Sequence, residues 1–274
     1  MEIAVLLTCH NRKDKTIICL NSLFKADLPF NYSLTVFLVV DGSTDGTSEV
    51  IKEKFPQINI IEGNGNLYWN RGMHLAWETA KQKKDYDFYL WLNDDIIIES
   101  KGLTTIINDA KEKPSSLICG VMQSKNNKGT VTYGGKTLKG LKIVPSGTTQ
   151  KCQYINGNMV LVPKNIVDDI GILDPMYPHA IGDYEYGLRV IKAGYKCFIS
   201  SFFTGYCENN PTLPKWCLSN VKFKDRLKSL YSPLGSSHPY YFFIYEYKYY
   251  GLFVALKHYM TIHLRVLYPK LWKI

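Results

Sequence analysis

Two carboxylates stand side by side at Asn93-Asp94-Asp95, where the apolar run Phe88 to Leu92 breaks off before another resumes at Ile96. Adjacent carboxylates repel unless something positive lies beside them, and a hard divalent cation carrying phosphate oxygens is the matching partner. The same residues also suit a polar turn in which an Asp caps the next element. Four further polar clusters punctuate the chain: Thr8-Cys9-His10-Asn11-Arg12, Asp41 to Thr47, Asn64-Gly65-Asn66 with Asn70 and Arg71 beyond, and Gly182-Asp183-Tyr184-Glu185. Carboxylates in a first helical turn complement the macrodipole, so capping alone would account for Asp183 and Glu185. Asp41-Gly42 would likewise make a tight turn without chemistry.

What positions these clusters is an alternation of strands and helices. Ile3 to Thr8, Leu34 to Val40, Ile58 to Ile61 and Phe88 to Leu92 are continuous apolar runs, which predict strands buried on both faces. Helical spacing falls between them, over Lys13 to Ala26, from Thr47 to about Phe55, and over Trp69 to Lys83. Alternation of this kind implies a parallel sheet with right-handed crossovers, so clusters that follow strands converge on one rim, where open α/β sheets bind ligands. Later expectations are a helix over Leu103 to Lys111, a strand over Leu117 to Met122, and hairpins or a mobile loop from Ser124 to Gln150. A strand over Tyr154 to Val162 with Asn156-Gly157-Asn158 inside it, a helix over Val167 to Leu173, and an amphipathic helix opened by the second acidic cluster and ended by Gly194 complete the series.

The 274 residues, 46% hydrophobic, suffice for one large domain or a domain with an appendage. A formal charge of +9 calls for a polyanionic partner: nucleic acid, an anionic membrane face or a phosphorylated substrate. The chain carries no zinc-finger or RNP-like module, which argues against nucleic acid. Seven scattered cysteines without CxxC spacing read as buried thiols of a cytosolic protein. The N-terminus reads as a strand rather than a signal peptide, and no eighteen-residue apolar run would span a membrane.

In their order, these clusters resemble the family 2 glycosyltransferases with the GT-A fold. Thr8 to Arg12 is similar to the family's opening "(S/T)xxNR", and Val40 to Thr47 looks like "DDGSxDGT" with Val40 replacing the first Asp. Asn93-Asp94-Asp95 stands where the family has its DxD-type metal motif. Gly182 to Glu185, with Arg189 and Gly194, resembles the "(E/D)DxExxxRxxxxGy" pattern that carries the catalytic base. The resemblance spans roughly residues 1 to 200, and Asn64 to Gly72 looks closest to bacterial rhamnosyl and related polysaccharide-assembly transferases. It implies a mostly parallel, Rossmann-like sheet flanked by helices in a catalytic domain over residues 1–214, with a helical extension over 215–274.

It further implies a nucleoside-diphosphate sugar, dTDP-rhamnose ahead of a UDP-hexose, whose diphosphate bridges to Mg²⁺ or Mn²⁺. Asp95 would bind the metal, with Asp94 assisting or holding the ribose, while Asp41, Thr8, Asn11, Arg12 and Asn93 contact the nucleotide. Asn66, Asn70 and Arg71 would line its far side or the diphosphate. Asp183 would be the base that takes the acceptor proton during inversion. Asn156, Gly157 and Asn158 would lie under the donor or acceptor sugar, with Glu185 supporting and Arg189 paired to it. Many relatives place a His after the strand that follows the base-bearing helix; here Glu208 or Asn209 would complete the metal shell.

The segment Trp216 to Ile274 mixes aromatics with Lys and Arg, as in YYFFIYEYKYYGLF over 240–253. Helical spacing of Phe243, Tyr247, Tyr250 and Val254 suits either packing on the sheet or attachment to an anionic membrane face or a second copy in a homodimer. The expected activity is sugar transfer to a glycan acceptor on a polyprenyl diphosphate at the cytoplasmic membrane face, in capsule or O-antigen synthesis. A sugar nucleotidyltransferase would open with a Gly-rich phosphate loop, which CHNRKDK lacks. A non-catalytic sugar-binding module would have no need of intact Asp94, Asp95 and Asp183.

Overall fold

Each buried strand presents alternate apolar side chains to two helical layers. In the computed structural model, which describes residues 1–209, 213–235 and 237–272, Ile3, Val5 and Leu7 of β1 (Glu2–Cys9) join one core while Ala4 and Leu6 join another. Burial on both faces is why these runs carry no polar alternation. The first core packs against α1 (Lys13–Lys25) and α4 (Gly102–Glu112), and the second against α3 (Tyr68–Lys83) and α6 (Gly182–Lys192).

Strands β1, β2 (Ser33–Asp41), β3 (Asn59–Gly63) and β4 (Phe88–Leu92) pair in parallel, as the crossovers require, α2 (Thr47–Lys54) being the second of them. Beyond them the sheet becomes mixed. Strand β9 (Met159–Pro163) runs antiparallel between β4 and β6 (Ser116–Gln123), and β10 (Lys196–Tyr206) then runs parallel to β6. The order is β3-β2-β1-β4-β9-β6-β10-β5, with β5 being Ile97–Ile98 and with β7 (Val131–Tyr133) and β8 (Gln150–Lys151) paired at the side. The chain between β6 and β9 contains no crossover helix, so it returns antiparallel.

Two sequence expectations shift here. The strand expected from Tyr154 begins at Met159, because Asn156-Gly157-Asn158 is a loop whose main chain bonds outside any strand: Asn93 N donates to Asn158 O at 2.9 Å. The helix expected over Val167 to Leu173 is α5 (Lys164–Ile170); it starts directly after Pro163 and stops at Gly171, where φ is 76°. The reversed strand has a consequence for the site. Its N-terminal end lies at the same rim as the carboxyl ends of β1 and β4, so the Asn-Gly-Asn loop meets the acidic pair.

All seven cysteines are unpaired and buried. The C-terminal segment forms α7 (Phe223–Leu230), α8 (Pro239–Tyr250) and α9 (Leu252–Leu267), with a small core of Trp216, Cys217, Leu230, Ile262 and Val266. Tyr245 of α8 packs with Tyr177, Ile181 and Leu188, which docks these helices on α6. Among the described residues, no helix is long and apolar enough to cross a membrane.

Candidate active site

A cavity of about 1120 Å³ opens at the rim. Thr8 at the end of β1, Asp41 at the end of β2, Asn93, Asp94 and Asp95 after β4, the loop Asn156-Gly157-Asn158 and Asp183 of α6 all line it. The acidic pair is held by one cation: Arg12 Nη1 lies 3.0 Å from both Asp94 Oδ1 and Asp95 Oδ2. Asp94 is 6% exposed, and its other oxygen is buried without a partner. Burial pushes Asp94 up to about 6, against the pull of Arg12. The guanidinium loses some proton affinity to burial and gains more from the two carboxylates, so it stays charged.

Asp183 accepts from Gly157 N at 3.0 Å and from its neighbour Tyr184 N at 2.9 Å. Burial raises its pKa in spite of these donors. The turn that delivers it is strained: Ile181, β-branched, sits at φ 79° immediately before Gly182. Gly182 is needed there because a Cβ would meet Asn70 Oδ1 at 1.8 Å.

Asn93 ties the two acidic positions together. Its side chain donates to Asn158 Oδ1 at 2.5 Å and accepts from Trp69 Nε1 at 2.7 Å, and the Trp69 ring packs where a Gly157 Cβ would be. Its polar groups are thereby taken up by neighbours in the cavity wall.

Several residues expected at the nucleotide have other work. Asp41 lines the cavity, but its carboxylate accepts from Gly65 N, Leu67 N and Tyr68 N at 2.7–3.0 Å, shaping the loop that starts α3. Asn70 Nδ2 donates to Asp174 O and Tyr177 O, and Arg71 to Pro175 O and Met176 O. They clamp the loop leading into α6 and line no part of the cavity, which corrects the expectation for both. Asn11 accepts from Thr44 N, and the Asn66 amide donates to Asn64 Oδ1; neither lines the cavity.

Glu185 is a correction as well: fully buried, it is bonded by Arg189, by Lys248 Nζ at 2.7 Å and by Tyr249 Oη at 2.8 Å, and it does not reach the sugar site. The expected pairing with Arg189 is present. Glu208 turns away from the acidic pair to Ser124 Oγ and Lys125 N, and Asn209 lines a neighbouring cavity, so the structure does not bring either to Asp94 and Asp95.

Other lining residues had weaker sequence signals. His179 heads the run that contains Asp183, accepts from Trp69 N at 3.3 Å, and has its pKa lowered by burial and by Arg12. Glu246 of α8 and His258 of α9 form a hydrogen-bonded pair facing the same space, with Tyr245 and Tyr250 beside them. Glu246 is the lone carboxylate in an aromatic run, and its partner His258 lies on the next helix.

A divalent cation is tested by the donors present. Arg12 uses one oxygen of each carboxylate, which leaves Asp94 Oδ2, buried and without a partner, and Asp95 Oδ1, which among the described residues accepts only from the Cys207 thiol at 3.9 Å. Among the described residues, no three His, Cys, Asp or Glu side chains cluster to hold a metal. The site therefore fits an ion of the Mg²⁺ type, bound through one or two carboxylates with substrate phosphates supplying the rest.

The family described as Glycosyl transferase family 2 matches residues 4–170. Poly-beta-1,6-N-acetyl-D-glucosamine synthase of Staphylococcus epidermidis is 24% identical over 181 residues, 63% of this chain and 42% of its own length. The chain thus spans well under half of that relative. Among solved structures, S. aureus TarS 1–349 in complex with UDP-GlcNAc superposes with a TM-score of 0.57 at 14% identity, covering 96% of this chain and 81% of TarS 1–349. The mannosyltransferase PcManGT from Pyrobaculum calidifontis, in complex with GDP-Man and Mn²⁺, gives 0.58 at 13% identity, covering 98% and 87%. At these identities the structural likeness is one of fold.

Proposed function

The chain belongs to glycosyl transferase family 2, and from that premise we propose that it moves a sugar from a nucleoside-diphosphate donor to a glycan hydroxyl with inversion. The observation that carries this reading is the single cavity lined by both the Asp94–Asp95 pair and Asp183. Asp183 receives the acceptor hydroxyl's proton. Its carboxylate keeps free lone pairs beside the two amides that fix it, and burial raises its proton affinity toward what a base at neutral pH needs. Arg12 and the acidic pair hold the diphosphate end. A cation on Asp94 and Asp95, Mg²⁺ or Mn²⁺, supplies the positive charge that offsets charge developing on the leaving diphosphate. Asn93, Trp69 and Asn158 keep the two ends in register.

For the donor, the relative named for poly-N-acetylglucosamine synthesis favours a UDP-linked N-acetylhexosamine over the dTDP-rhamnose expected from the sequence. For the acceptor, a lipid-linked glycan at the inner membrane face is supported by exposed Phe253, Met260, Leu264 and Leu267 on α9. Lys257 and Lys270, both exposed, flank that stripe. A division at residue 214 is supported by the separate core of the C-terminal helices.

The test is donor hydrolysis. With Mn²⁺ and a panel of nucleotide sugars, wild type releases UDP or dTDP from one donor, and Asp183→Asn releases it roughly 10²–10⁴-fold more slowly while binding UDP as wild type does. Absence of turnover together with absence of calorimetric UDP and dTDP binding would sink the reading.

A further inference from the structure

A second cavity of about 280 Å³ adjoins the first and shares Tyr133, Asn156 and Tyr184 with it. Its other walls include Thr132, Lys136, Lys142 and Asn209, and none of its lining residues is acidic. Lys136 and Lys142 pair across a β-bridge. Lys136 Nζ donates to Tyr184 Oη at 2.9 Å, and Lys142 Nζ to Val131 O at 3.2 Å. Among the described residues, neither ammonium forms an ion pair. Two neighbouring cations without a paired anion are unfavourable, and partial burial together with the charge of Lys136 lowers the pKa of Lys142. Thr132 is 2% exposed, and its hydroxyl has no partner. Asp183 lines only the larger cavity and is bonded by the Gly157 and Tyr184 amides; the charge of Lys136 reaches it, but the two form no ion pair.

We propose that this side cavity is a phosphate subsite, which holds a phosphoryl group of the acceptor while the acceptor's hydroxyl lies at Asp183. Two ammonium groups match the charge of a phosphate monoester, near −2 at pH 7, better than the single charge of a carboxylate. The volume lies just below the roughly 300–1000 Å³ of sites for whole drug-sized ligands, which suits a phosphoryl group and its ester carbons rather than a nucleotide. Thr132 and Asn156 add neutral donors, and the shared wall at Tyr184 joins the subsite to the catalytic space. Assigning the phosphate to the acceptor rests on the transferase reading; the subsite itself does not.

The experiment is a ³¹P titration of the full chain with inorganic phosphate, in the presence of saturating UDP to fill the donor site. Phosphate binds with UDP present, Lys142→Gln weakens it roughly tenfold or more, Thr132→Val weakens it by a smaller factor, and Lys142→Arg restores it. Phosphate that UDP displaces, that does not bind, or that binds Lys142→Gln unchanged overturns the subsite. UDP affinity measured in the same samples reports separately on the donor site, so a failed transferase reading is recognised by lost UDP binding with phosphate binding intact. Competition by glycerol 3-phosphate assigns the group to a polyol-phosphate acceptor, and competition by farnesyl diphosphate in micelles to a lipid-linked one. Displacement by neither overturns its assignment to the acceptor.

Discussion

Replacing Glu185 tests whether this carboxylate is a latch or a sugar ligand. It is 0% exposed, and it gathers Arg189 from its own helix with Lys248 and Tyr249 from α8. Removing the carboxylate strands Arg189 and Lys248, but these are 22% and 39% exposed, so the loss falls short of the 3–5 kcal/mol of a fully buried pair, at about 1–3 kcal/mol. In a chain of this size each kcal/mol moves the melting point by about 2–4 °C, so Glu185→Ala should lower Tm by roughly 2–12 °C. Burial alone would raise the pKa of Glu185, but Arg189 and Lys248 outweigh it and hold the value below the ordinary 4.5. For a carboxylate so depressed, the stabilisation is complete above the unfolded value and is lost as pH falls through the folded one. Melting curves of wild type and Glu185→Gln should therefore differ at pH 7 and converge well below pH 4.5. Equal melting points at pH 7, with a raised acceptor KM instead, would refute the latch and return Glu185 to the sugar site.

Because burial pushes Asp94 up to about 6, Mn²⁺-dependent UDP binding should weaken as pH drops from 7 to 5, and Asp94→Asn should flatten that profile; a wild-type affinity that stays constant over this range would count against Asp94 as a metal ligand. At Gly157, an added Cβ would meet the Trp69 ring at 2.5 Å, so Gly157→Ala should cost about 1–3 kcal/mol and displace the indole from Asn93. Thermal melts and tryptophan fluorescence check this, and unchanged spectra with unchanged turnover would refute the packing argument.

The strands and rim were legible because burial on both faces writes itself as an unbroken apolar run, seen in β1, β2 and β4. Asp94, Asp95 and Asp183 each also suited a turn or a helix cap, so what singled them out in the sequence was their place in an ordered set of motifs, and the structure brings all three to one cavity. Direction and bond partners were not legible. Nothing in Met159 to Pro163 distinguishes a parallel strand from the antiparallel one observed, since both are buried alike. Asp41, Asn70 and Arg71 are types that serve a nucleotide or a backbone equally well, and here main-chain groups took them. Glu185 faced the same ambiguity, and its partners Lys248 and Tyr249 lie some sixty residues on, beyond any local pattern.

The reversed strand explains how one site draws on such distant segments. Were β9 parallel, its N-terminal loop would lie at the opposite edge from Asp94, and Asn158 could not reach Asn93. With β9 reversed, a chain of bonds runs from Trp69 to Asn93, from Asn93 to Asn158 through both main chain and side chain, and from Gly157 to Asp183. The residues proposed to hold the leaving diphosphate and the one proposed to take the proton are thus set by the same few contacts. Reaction by inversion requires those two ends on opposite sides of the sugar at fixed spacing, and misplacement by about 1 Å costs on the order of 10²-fold. A mixed sheet satisfies that requirement without a long support of its own, because the strand that completes the core also delivers the loop.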